Sequence, residues 1–356
     1  MQADQPPAQT ESPHFYWIDL VRVVAVFQVV LIHLSYVIFF KEPPLTPNWL
    51  AANFYDSFSR MGVPLFFMVS GYLLLRKSES VPQFFRKRFF KVGIPTLFWT
   101  AAYLLWSVPA YTSGTMNPVS VTLSMLKAIY TGNVEIHLWF LYVLIGIYLV
   151  VPILRVYISS ASRRNLSYFL ILWLLATSLI ELVQRVGGIQ TALVIPVVTG
   201  YVGYFVLGYF LAEVELTSRS RVMAIIGCVL AIAVTYVGTN QLSAHAGPIN
   251  DYFYSYFSPP VILASVFGFM LLKKLGQNMG SAGRYARTAS ATAFGVYLIH
   301  IFVIELLRMG TLGFRLYSWM APSAYMIPLT ALIVFVLSFA VVFIMRKIPL
   351  IRMLVP

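Results

Sequence analysis

The sequence predicts an all-α fold, a polytopic transmembrane helical bundle of about ten spans, and three observations carry that expectation. Apolar residues make up 59% of the chain and charged residues only 10%, against about 25% charged in an average soluble domain. The mean hydropathy is +0.79. The apolar residues fall into blocks of about twenty, the length needed to cross a hydrocarbon core of about 30 Å. The blocks are continuous rather than alternating, and in lipid that pattern belongs to helices, which satisfy their own backbone. No hydrophilic stretch is long enough to hold a separate domain. The first block is too long and too aromatic for a cleavable leader. Cys228 is the single cysteine, so no intramolecular disulfide forms, and it reads as a packing residue.

Charge, Pro and Gly bound the blocks near 17–40, 59–75, 92–110, 137–158 and 166–184, then 194–214, 222–240, 254–273, 290–309 and 325–346. A tail of residues 1–16 precedes the membrane domain, 17–346, and a second tail, 347–356, follows it. With both tails in the cytoplasm, only Lys41, Arg60, Lys127, Arg185, Arg308 and Arg315 fall outside. Arg22 lies within the first span, which leaves 18 of the 25 Lys and Arg inside. That asymmetry is what the positive-inside rule expects, and it accounts for the net charge of +13 without nucleic acid.

One inner loop stands out. Residues 84–91, FFRKRFFK, set four cations among four phenylalanines just before the third span. Composition favours a membrane-interface anchor, with Phe among headgroups and cations near anionic lipid. The functional alternative is a site for a phosphorylated cytosolic ligand, because Arg forks match phosphate oxygens.

Ionisable residues inside a membrane helix are costly and point to function. The first span carries Asp19, Arg22 and His33. Arg22 and His33 are eleven residues apart, which puts them on one helix face about 16 Å apart. Asp19 sits one turn before Arg22, within ion-pair reach. A packed histidine and a helix-end ion pair are the bland readings. His33 is the harder to dismiss, since a neutral imidazole suits a general base near pH 7. His137 opens the fourth span beside Glu135, in EIHLWFL. His300 sits within the ninth, in FGVYLIHIF. No His/Glu pair has the i, i+4 spacing of a helical zinc site, so no metal is expected. Ser70, in FFMVSGYLL, reads as a nucleophile or, with Gly71, as a small pair that lets helices approach closely; the second is preferred. Glu181 could meet a polar substrate or pair with Arg185. These residues alone leave a transporter and a membrane enzyme both open.

The motifs, taken in order, resemble the acyltransferase 3 family of integral-membrane acyltransferases over most of the chain. The features are the Arg22/His33 pair, FFMVSGYL from Phe66, RFFKVGIP from Arg88, HLWFL at His137 and GVYLIH ending at His300. One position departs from the family pattern, with Lys91 standing where a second arginine is expected, which weakens bidentate phosphate binding there. Length and layout are similar to the O-acetyltransferases of enterobacterial common antigen and of secreted polysaccharides. The chain ends just after the tenth span, so no extracytoplasmic hydrolase-like domain is expected.

The resemblance implies an O-acyltransferase of the bacterial inner (plasma) membrane with no bound cofactor. Acyl-CoA, acetyl-CoA by default, would dock from the cytoplasm with its phosphates near Arg86, Arg88 and Lys91. His33 would take the proton from a hydroxyl of a glycan or lipid-linked sugar, with Arg22 fixing the donor or stabilising charge. Asp19, Ser70, Glu135, His137 and His300 are the supporting candidates. Membrane lipids and polysaccharide biosynthesis proteins are the expected partners. The alternative is a non-enzymatic flippase or exporter of a glycan intermediate, which would share the polar interior and have no use for the basic loop.

Overall fold

The structure is a computed structural model that describes residues 15–107, 117–185, 187–190, 200–245, 250–311, 313–320 and 322–356. Every regular element among them is helical. The helices are α1 (Tyr16–Lys41), α2 (Pro47–Ser59), α3 (Gly62–Leu75), α4 (Val81–Trp106), α5 (Pro118–Thr131) and α6 (Trp139–Ser160). They continue as α7 (Arg163–Arg185), α8 (Val202–Leu211), α9 (Ser218–His245), α10 (Pro259–Gln277), α11 (Gly283–Met309) and α12 (Ser323–Met345). Among the described residues nine helical stretches are long and apolar enough to cross a membrane, with α2 and α3 forming one of them. The sixth expected span, 194–214, is seen as the shorter apolar α8, and residues 191–199 lie outside the described residues.

α1 is the central helix, packed against α2, α3, α10, α11 and α12. Its two ends define the two ends of the bundle. At the Tyr16 end the Trp17 ring meets Tyr72 of α3 at 5.0 Å and Phe269 of α10 at 5.7 Å. At the other end Ser318 Oγ donates to the Leu34 carbonyl (3.1 Å), and the Ser323 N–H donates to Asn48 Oδ1 (3.0 Å). The Tyr16 end also carries the close of α3 and the start of α4, with Arg76, Lys77 and the 84–91 segment. It is the basic end of the bundle.

Three expectations from the sequence need correction. The stretch before residue 59, read as an outer loop, contains α2. Thr46 caps it by accepting the Trp49 N–H, and Pro47 fits its first turn, where no N–H bond is lost. Hydropathy hid this helix because its polar residues are turned inward. Asn53 and Asp56 are fully buried, and Asn53 Nδ2 donates to Asn240 Oδ1 of α9 at 2.6 Å. The second correction concerns 84–91, which is helix rather than loop, with a π-helical turn over Phe89–Gly93. Pro95, two residues past Gly93, has no N–H for the Lys91 carbonyl, so a widened turn at this place relieves the ladder. The third is α5, which lies in a segment read only as a connection; Asn117 caps its start and Gly132, at φ +73°, ends it.

The close-approach reading of the Ser70–Gly71 pair is realised at Gly71. A Cβ there would stand 2.0 Å from the Phe205 carbonyl of α8, and one at Gly208 would stand 2.0 Å from the Met68 carbonyl of α3. Only glycine on both helices allows backbones to cross at this distance.

Candidate active site

Three histidines far apart in sequence meet in the half of the bundle away from its basic end. The His33 ring, on α1, stands 5.1 Å from that of His300 on α11 and 6.2 Å from that of His137. His137 and His300 are 5.1 Å apart. His137 reaches the cluster from the turn ahead of α6 and His300 from the middle of α11; both are buried, while His33 is half-buried.

The surroundings fix the rings. Tyr297, one turn before His300, donates its hydroxyl to the His137 carbonyl. His300 Nδ1 lies 2.6 Å from the Tyr297 carbonyl. A carbonyl only accepts, so Nδ1 carries a proton and Nε2 is left as the lone-pair nitrogen of the neutral ring. That Nε2 is buried without a partner. The His137 ring lies beside the Leu298 carbonyl, but neither of its nitrogens reaches hydrogen-bond geometry. Tyr103 packs edge-on to His137 at 5.0 Å and donates to the Leu298 carbonyl at 2.8 Å. Buried imidazole nitrogens without protein partners cost free energy, and such groups call for an explanation in function. Among the described residues no group of three or more His, Cys, Asp or Glu side chains is arranged to hold a metal ion.

His33 and His137 line a cavity of about 310 Å³. Its other walls include Tyr36, Trp139, Tyr201, Tyr256 and Arg60. Arg60 and its partner Asp56 are the residues that sequence reasoning missed. The charge count places Arg60 among the outer cations; its side chain is only 12% exposed and Asp56 is fully buried. Arg60 Nη2 donates to Asp56 Oδ2 at 2.8 Å, and Nε stands 2.7 Å from Oδ1. The guanidinium also lies over the Tyr254 ring at 4.4 Å and the Tyr256 ring at 5.8 Å. A signal existed, because Asp56 and Arg60 have the i, i+4 spacing of a helical ion pair.

Arg22 keeps different company. It does not line the His33 cavity. It sits toward the basic end, where the charge of Asp19 and the Tyr148 hydroxyl of α6 act on it. Lys91 lies in the field of Arg88, Lys77, Arg22 and Lys87 together. Arg88 stands over the Phe84 ring (5.6 Å) and the Tyr148 ring (6.0 Å), with one guanidinium nitrogen, Nε, buried without a partner. The structure thus brings Arg22, Arg88 and Lys91 together. Arg86 is exposed. Nearby Glu79 is taken up by Lys87 (2.8 Å) and Arg155 (2.9 Å), which leaves Arg88 and Lys91 to other partners.

Ser70 is half-buried on α3 and lines neither the His33 cavity nor its neighbour. Glu135 is half-buried in the turn before His137, accepts the Ile136 N–H at 3.0 Å and is outside the cavity wall. Burial pushes its carboxyl above the usual carboxylate range, against the pull of that N–H. Glu181 lines a second cavity beyond Arg60.

A protein-family model described as an acyltransferase domain matches residues 15–347. No curated protein and no solved structure matches the chain.

Proposed function

This chain belongs to the acyltransferase 3 family, and from that premise we propose that it is an O-acyltransferase moving an acyl group, acetyl first, from acyl-CoA to a sugar hydroxyl. The acceptor is a surface polysaccharide or a lipid-linked sugar, and the protein sits in the inner membrane with both ends in the cytoplasm. The observation that carries this reading is the His33–His137–His300 cluster at a cavity inside an apolar bundle, with a cationic face at the opposite end.

Acyl-CoA meets Arg88, Lys91 and Arg22 from the cytoplasm, where planar guanidinium forks pair with phosphate oxygens. Arg22 and His33 are separated by about 16 Å along α1, a gap that an extended pantetheine arm bridges. The acceptor oxygen attacks the thioester carbonyl while His33 removes its proton. The tetrahedral oxyanion that forms is stabilised by fixed positive charge, which Arg60 supplies on the same cavity wall. Collapse breaks the C–S bond, and the CoA thiolate leaves and takes the proton from His33. His300, with Nδ1 held by a carbonyl, and His137 orient His33 and share its environment. The apolar walls limit loss of the acyl group to water.

The test is direct. Purified protein in liposomes should release CoA from acetyl-CoA, and cells with the gene should carry an acyl modification on surface glycan that deleted cells lack by mass spectrometry. Glycan that is unmodified in both, with no CoA release, would leave the exporter alternative standing.

A further inference from the structure

Past the wall formed by Arg60 lies a second cavity, of about 480 Å³. The first and second cavities share three residues, Arg60, Tyr201 and Tyr256. The second is built where α7 ends (Glu181, Arg185), where α9 ends (Leu242), and along the 250–257 connection to α10. All of these lie at the end of the bundle away from the basic face.

Its lining is not that of an apolar packing defect. Glu181, Asp251 and Asn250 face it together with Arg185, and four tyrosines line it. Carboxylates and amides on a wall with aromatic faces suit a ring that has hydroxyls on its edge and C–H groups on its face. The charges of the lining balance, Glu181 and Asp251 against Arg60 and Arg185, which suits a neutral ligand better than the multiply charged nucleotide end of CoA. An independent observation points the same way. Tyr252, which lines this cavity, is 8% exposed, and its hydroxyl is buried without a hydrogen-bond partner. Left unmade, such a bond costs free energy that a ligand hydroxyl recovers.

We propose that this second cavity is the acceptor subsite, binding a neutral polyhydroxylated sugar so that one hydroxyl passes the Arg60–Tyr201–Tyr256 wall toward His33. The proposal rests on the acyltransferase reading above. It adds the place, the residues and the side of entry, which is opposite to that of the donor. The ion pair with Asp56 keeps Arg60 in the wall, between the two substrates.

A plugging experiment tests it. Cys228 is the only cysteine, so a Cys228→Ala background allows one thiol to be placed at will. Leu242→Cys puts it in the second cavity at a side chain that offers no hydrogen bond. The thiolate attacks 2-(trimethylammonium)ethyl methanethiosulfonate, forming a mixed disulfide and expelling methanesulfinate. Two rates are read with acetyl-CoA in liposomes. One is CoA release with water alone, the other the increment caused by N-acetylglucosamine, galactose or rhamnose.

At least one sugar should raise CoA release saturably, and labelling should cut that increment about tenfold or more while hydrolysis changes less than about twofold. The subsite is overturned if the increment survives labelling, if both rates fall together, if no sugar stimulates, or if mass spectrometry shows the thiol unlabelled. Absence of any turnover before labelling fails the acyltransferase reading itself. Tyr252→Phe adds a finer measure. It should raise the half-saturating sugar concentration about two- to tenfold, whereas a merely structural hydroxyl would leave that concentration where it was.

Discussion

His33 and His300 belong to the first and eleventh helices, yet their rings stand 5.1 Å apart at an angle of 40°, with His137 completing the triangle. His300 is locked through Nδ1 by the Tyr297 carbonyl. His33 alone of the three is half-exposed to the cavity. In the proposed reaction His33 takes the reacting position and the other two a positioning task.

His33→Ala should therefore lower the rate of transfer by roughly 10²–10⁴-fold, the usual contribution of a positioned base. Acyl-CoA binding, measured by calorimetry on detergent-solubilised protein, should be retained. Near wild-type transfer would remove His33 from the chemistry and move attention to His137 and His300.

Breaking the Asp56–Arg60 pair should cost stability as well as rate. Asp56→Asn leaves a largely buried guanidinium without its carboxylate, a change worth about 3–5 kcal/mol. A thermal-shift measurement should show a large fall in melting temperature. Arg60→Lys keeps the charge but loses the two-point contact with Asp56, so a smaller fall and a reduced kcat are expected.

On the basic face, Arg88→Ala and Lys91→Ala should each raise the apparent KM for acyl-CoA, by about tenfold where a charged hydrogen bond is lost. Arg86→Ala should matter less, because Arg86 is exposed and a solvent-screened charge contributes less. Arg22→Lys should be a partial defect and Arg22→Ala a severe one, since the planar fork is lost in both and the charge only in the second. Unchanged KM in all of them, with altered expression only, would return this face to the role of a lipid anchor.

Glu79 gives a pH dependence. The hydrogen bond from Lys87, with Arg155 on its other oxygen, holds its carboxyl down at about 2, below the ordinary 4.5, despite partial desolvation. A folded-state value below the unfolded one stabilises the fold fully above about pH 4.5, and that contribution fades as pH falls toward 2. Glu79→Gln should thus lower the melting temperature most at pH 7, with the gap to wild type narrowing as pH falls from 4.5 toward 2. A gap independent of pH would show that the charge of Glu79 is not what matters.

Orientation is testable by fusion. A reporter joined after Lys77 should report the cytoplasm, and one near Pro44 the far side. The opposite result would invert the entry sides assigned to donor and acceptor.

The all-helical membrane class was determined by the sequence alone, because a twenty-residue apolar block needs no knowledge of its neighbours to be read as a span. His33 was legible for the same reason, as a costly group in such a block. Helix α2 was not. Its Asn53, Asp56 and Ser57 lower the local hydropathy of a segment that is nonetheless inside the bundle, and only the packing of α2 on α9 and Tyr254 hides them. The burial of Arg60 was not legible either, since a charge count sorts residues by position along the chain and says nothing of a buried carboxylate one turn away. Which faces the helices turn toward one another is a tertiary matter. That decided that His137 and His300 converge on His33, and that Arg22, on the same helix as His33, joins the cations of α4 at the other end of the bundle. Spacing along one helix sets an axial distance and a face; what that face meets depends on contacts among helices distant in sequence, which no local pattern records.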